Sequence, residues 1–138
     1  VTTPALFLSH ARADAHLVID VRLAARAAGL RLSTDFARQS EPVAVALAQL
    51  IAECAIFAVL LTPGSMHRPW VRWEVTHALR IGKPVAPIAD DPGLLLPPPF
   101  DRLPRVTHLP LRPAGLLAAR LAERLVTALA AGEGALNR

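Results

Sequence analysis

Between Ile56 and Asp90 the chain reads IFAVLLTPGSMHRPWVRWEVTHALRIGKPVAPIAD, and the residue there best suited to chemistry is a lone carboxylate, Glu74. On a helix, Trp70 lies one turn before it and His77 one turn after, so the three share a face. Val71, Val75, Ala78 and Leu79 make a different, apolar face that reads as the core stripe. A helix laid on a sheet by that stripe can hold Trp70 and Glu74 at the rim of a pocket, and function is expected at that rim. Other chemistries fail on spacing. There is no GxSxG elbow for a Ser/His/Asp hydrolase, and His10, His16, His67, His77 and His108 have no metal-ligand spacing. Neither GxGxxG nor GxxxxGK[ST] occurs. Cys54, the only cysteine, excludes an internal disulfide and sits on an apolar helix stripe, where an inert core thiol is expected.

The elements that must position these residues follow from hydrophobic periodicity. Ala5 to Leu8 reads as a buried strand, and Ser9 to Asp14 as a polar loop that ends in a helix N-cap, Asp14. Leu17, Val18, Val21, Ala25 and Ala28 recur at helical spacing over Ala15 to Ala28, and Gly29 supplies the stop. Leu30 to Thr34 alternates as a second strand, with a loop from Asp35 to Pro42 after it. Val43, Ala46, Leu47, Leu50, Ile51 and Cys54 then mark one face of a second helix. Ile56 to Leu61 is continuously apolar, as a strand buried on both faces must be. Pro69 suits the first turn of a helix over Trp70 to Ile81, closed by Gly82. Pro84 to Ile88 is a fourth strand in which Pro87 predicts an edge or a bulge. Residues 92 to 113 hold seven prolines and read as extended connection, with a short fifth strand over Val106 to Leu109. The last helix, Ala114 to Ala131, is expected to bury Leu117, Leu121, Leu125 and Leu129 and to expose Arg120, Glu123 and Arg124. Residues 1–131 thus make one domain, and 132–138 read as a tail or the start of a linker.

A length of 138 residues with 53% hydrophobic content suffices for one packed core. Fourteen arginines and one lysine, Lys83, oppose eleven acids, for a net charge of +4. The arginines are scattered and aromatics are few, so a nucleic-acid surface is not expected, and an arginine-preferring bacterial genome accounts for the bias. No apolar run is long enough to span a bilayer and the start has no secretory pattern, so a cytoplasmic location away from membranes is expected. The initial Val suggests a fragment of a longer protein.

Strands alternating with helices at this spacing imply right-handed crossovers and an α/β, flavodoxin-like, doubly wound sheet: five parallel strands in the order 2-1-3-4-5, with helices on both faces. Ligands in such sheets bind beyond the carboxyl ends of the strands, at the switch between strands 1 and 3. That rule selects Ser9 to Arg12 and Thr62 to Ser65 as pocket walls. A phosphate-accepting receiver would need acids after strand 1 and an Asp ending strand 3, where Ser9, His10 and Thr62 stand. A flavodoxin would need glycine in the first loop, which has none.

FLSHARAD after strand 1, the LLTPGS turn, WVRWE with its W-x-x-x-E spacing, and GKPVAPI, in this order on these elements, resemble the Toll/interleukin-1 receptor (TIR) domain over nearly the whole chain. The resemblance is to the branch that cleaves NAD, and it implies that Glu74 is the catalytic residue. It further implies that Ser9, His10, Arg12 and Asp35 contribute to the nucleotide pocket, beside Trp70, which is read as packing on the wall rather than stacking on the base. Arg12 is the candidate for the pyrophosphate. NAD+ is then substrate, with no cofactor and no metal. Nicotinamide is cationic in NAD+ and leaves neutral, so no general acid is required. A glutamate with an ordinary pKa of about 4.3 is ionised at neutral pH and can stabilise the positive charge that develops on the ribose. Attack by water gives ADP-ribose, and attack by the adenine of the same molecule gives a cyclic product; both remain open. The resemblance also implies partners: other TIR domains, in an assembly that activates the enzyme and can be filamentous, and a sensor domain outside this chain, as in immune or antiphage effectors. The rival readings are a TIR adaptor without catalysis and a transferase acting on other N-ribosides. One departure stands out: the loop after strand 2, ARQSEPVA, has no glycine, so it must take a path without positive φ.

Overall fold

The computed structural model describes residues 3–33, 43–104 and 107–136. Asp35 and the glycine-less part of the loop after the second strand lie outside the described residues, as does Val106. The elements are β1 (Ala5–Ser9), α1 (Ala15–Ala27), β2 (Arg31–Ser33), α2 (Val43–Glu53), β3 (Ile56–Leu61), α3 (Pro69–Arg80), β4 (Val85–Ala89), β5 (Leu109–Pro110) and α4 (Ala114–Leu136). The sheet is parallel throughout with the order β2-β1-β3-β4-β5, as expected for a doubly wound fold. Gly29 and Gly82, at φ 83° and 73°, take the left-handed conformation that stops α1 and α3.

Side chains alternate across the strands and divide the core in two. Leu6, Leu8, Ile56, Ala58 and Leu60 face α1 and α4, where Val21, Ala25, Leu117 and Leu121 meet them. Phe7, Phe57, Val59 and Leu61 face α2 and α3, against Leu47, Ile51, Val71, Val75 and Ala78. Cys54 belongs to this second layer; its thiol donates to the Ile51 carbonyl at 3.0 Å, and burial pushes its pKa up despite nearby Lys83, so it is held as the protonated thiol.

The structure corrects several expectations. Leu129 is 51% exposed, and α4 continues through Gly132 and Gly134 to Leu136 where a tail was expected. Arg124 is half-buried rather than exposed. Its guanidinium donates to the carbonyls of Val85 at 3.2 Å and Thr107 at 2.5 Å, and burial lowers its pKa while Glu123 opposes the shift. Among the described residues β5 pairs with β4 only at Ile88 and Ala89, so Pro87 lies where β4 has β3 on one side alone, and Arg124 caps the exposed carbonyl edge there. Asp14 precedes α1 but makes no side-chain cap; its carboxylate instead accepts from the Thr62 hydroxyl at 2.7 Å, tying the loop after β1 to the turn after β3. The fifth strand is displaced to Leu109–Pro110.

Candidate active site

The residues that end β1 and β3 set the site. Ser9 is the last residue of β1, not the first of a loop, and pairs with Val59. Two residues beyond Phe7, it points to the same face of the sheet, towards α3. On α3, Val71, Glu74, Val75 and Ala78 follow the i, i+3, i+4, i+7 pattern of a buried stripe, and all four are buried. Glu74 is therefore within the core stripe, and its expected partnership with Trp70 and His77 on a separate face is corrected. Trp70 is 38% exposed, while His77 stacks in parallel on Trp73, with ring centroids 5.3 Å apart. Trp73 packs against the core.

Ser9 and Glu74 are both 0% exposed, and the Ser9 hydroxyl donates to Glu74 Oε1 at 2.8 Å. Helical side chains lean towards the preceding turn, so the Glu74 carboxylate leans towards Trp70 and Val71. Those residues, with Arg68 and Pro69, form one wall of a cleft of about 320 Å³; His10, Ala11 and Arg12, next to Ser9, form the other. The Ser9–Glu74 bond ties the end of β1 to α3 in the core beside the cleft, and neither residue lines it. His10 Nδ1 lies 2.9 Å from the Ala11 carbonyl, which can only accept, so Nδ1 carries the proton and Nε2 is an acceptor in the neutral ring. Arg12 and Arg68 are exposed on opposite walls. Sequence reasoning missed Arg68; its place directly before the N1 proline of α3 was the available signal.

Thr62 to Ser65 was expected to wall the pocket, but these polar atoms are spent on the turn itself. The Ser65 hydroxyl accepts from the Thr62 amide at 2.9 Å and donates to the Leu60 carbonyl at 2.8 Å, and Thr62 Oγ1 accepts from the Ser65 amide at 3.0 Å. Ser65→Ala should lower stability by about 1–3 kcal/mol, measured by urea unfolding, because it orphans buried backbone groups.

Larger hollows beside Gly29–Leu32 and around Ala55, Lys83 and Pro84 open at the amino ends of the strands, the wrong end for a ligand site in this fold. A third, between Pro63–His67 and Asp91–Pro97, opens at the carboxyl ends but beside β3 and β4, away from the switch between β1 and β3. Among the described residues no three His, Cys, Asp or Glu side chains gather as a metal site.

A family model described as TIR domain matches residues 6–128. The chain belongs to the TIR-domain family. No curated protein matches it at a significant level. Among solved structures, the CMP N-glycosidase BcmB of Clostridium botulinum is similar to this TIR domain with a TM-score of 0.57 at 17% identity, over 85% of this chain and 96% of that one. At that identity the likeness is one of fold. Among the described residues no helix is long and apolar enough to cross a membrane.

Ser9→Ala removes the donor at Glu74 Oε1 and should cost about 1–3 kcal/mol of stability, read from urea titration. An unchanged midpoint would mean that the bond contributes nothing to the stability of the fold.

Proposed function

We propose that this TIR domain cleaves the bond between nicotinamide and ribose in NAD+, with Glu74 as the catalytic carboxylate. The observation that carries the reading is the fully buried Glu74 carboxylate, held by the Ser9 hydroxyl at 2.8 Å, on the helix whose first turn, with Trp70, lines a cleft shared with His10, Arg12 and Arg68. In the reaction the ribose C1′–nitrogen bond breaks and its electron pair stays on the ring nitrogen, which leaves nicotinamide neutral. Glu74 stabilises the positive charge at C1′. A water oxygen, or an adenine nitrogen of the same molecule, then bonds to C1′; in hydrolysis the water proton passes to solvent or to the acceptor nitrogen of His10. Full burial of Glu74 means that the walls must part before a ribose reaches it. That requirement suits a domain activated by assembly with other TIR domains, as the effector part of a defence protein whose sensor lies elsewhere.

A second reading is a pyrimidine nucleotide as substrate, favoured by the likeness in fold to a CMP N-glycosidase. It asks more of the site, because cytosine must gain a proton as it leaves whereas nicotinamide need not. The test is release of nicotinamide from NAD+ and of cytosine from CMP, measured in parallel at high protein concentration. Nicotinamide release supports the first reading and cytosine release alone the second. Neither product from assembled wild type would leave the adaptor role.

A further inference from the structure

We propose that Arg68 selects substrates bearing a 5′-phosphate, so that the domain takes nucleotides and passes over the corresponding nucleosides. This deepens the N-glycosidase reading and rests on it for the position of the sugar. Arg68 has an extended backbone, φ −82° and ψ 127°, as a residue before proline must. Its amide donates to the Ser65 carbonyl at 3.1 Å and its carbonyl accepts from the Arg72 amide at 3.1 Å, so the main chain is pinned at the mouth of the cleft. Arg68 and Arg12 are both exposed and both line the cleft.

Three features make this mouth attractive to a dianion. Among the described residues neither guanidinium is within ion-pair distance of a carboxylate. The first turn of α3 contains no acid, so the positive end of its dipole is not neutralised locally. The two arginines stand on different walls, where guanidinium groups can grip one phosphate from two sides with paired hydrogen bonds. The separation also fits. Arg68 precedes Glu74 by six residues, which is about 9 Å along the helix axis, the scale of a ribose 5-phosphate with its sugar carbon at the carboxylate and its phosphate at the mouth.

Glu74→Gln protein, in which turnover is slowed, allows binding to be read from intrinsic fluorescence, since Trp70 lines the cleft and the chain has only two tryptophans. The probes are nicotinamide mononucleotide against nicotinamide riboside, and CMP against cytidine. The phosphorylated member of at least one pair should bind about tenfold or more tightly. Adding Arg68→Gln should erase that difference, and Arg68→Lys should restore part of it. Equal binding within both pairs, absence of binding by all four probes, or equal weakening of nucleotide and nucleoside by Arg68→Gln would each overturn the proposal. Phosphate preference that depends on Arg68, in a protein whose wild type releases no base, would instead retain it and remove the N-glycosidase reading. Base release from nucleosides as fast as from nucleotides would do the reverse.

Discussion

Glu74→Gln is expected to reduce nicotinamide release by about 10²–10³-fold while leaving the domain as stable as before or slightly more so. The side chains are isosteric, and the amide oxygen can still accept from the Ser9 hydroxyl, so the cleft keeps its shape. In the proposed reaction, what disappears is negative charge next to the sugar carbon as it becomes cationic. A buried carboxylate also opposes folding, because its hydration is lost and hydrogen bonds within the protein return only part of it. Loss of rate with retained or raised stability is the signature of a residue kept for chemistry. Nicotinamide release at high protein concentration, beside urea unfolding of the same samples, reads both quantities. Release that continues undiminished in the variant would end the catalytic role, and a rate that fell only with the folded fraction would make Glu74 a packing residue.

Strand order was legible because it depends on features that one sequence displays. The continuous apolar run Ile56–Leu61 became β3 residue for residue, and Gly29 and Gly82 ended their helices at positive φ. The candidate site was legible in part. His10, Arg12 and Trp70 line one cleft near the switch between β1 and β3, Ser9 and Glu74 are bonded to each other in the core beside it, and Asp35 lies outside the described residues. The depth of Glu74 was missed because its charge argued for a rim. Its spacing from Val71, Val75 and Ala78 argued for the stripe, and the spacing decided its position. The same parity places Ser9 with Phe7, a relation hidden when the first strand is ended at Leu8.

Tertiary partners account for the remaining differences, since no local pattern encodes them. Asp14 has the type and position of an N-cap, but the Thr62 hydroxyl across the β1–β3 switch takes its carboxylate. Arg124 has the composition of a solvated helix face, but the short β5 leaves carbonyls that its guanidinium reaches. Leu129 continues the leucine spacing of α4 but is 51% exposed, whereas Ala128 beside it packs against the core, so the spacing named the wrong neighbour for the buried face.

Phe57→Ala should cost about 3–5 kcal/mol, more than any other substitution described above. Phe57 is fully buried at the centre of β3 and stacks on Phe7 of β1, with ring centroids 5.6 Å apart and planes 10° from parallel. The two rings are register partners on the face that carries α3, so truncation loses transfer energy, leaves a cavity below α3 and removes an aromatic contact worth about 0.5–1.5 kcal/mol. A domain of ordinary stability holds about 5–15 kcal/mol, so the variant should unfold at a much lower urea midpoint. Phe57→Leu keeps most of the volume and should lose about half as much. Because Ser9 follows Phe7 on the same face by two residues, the alanine variant should also loosen the Ser9–Glu74 contact. Faster exchange of the amides of β1 and of the first turns of α3, beyond the global loss of stability, would report that loosening. An alanine cost below about 1 kcal/mol would show that the face under α3 is not close-packed and that Glu74 is positioned by other contacts.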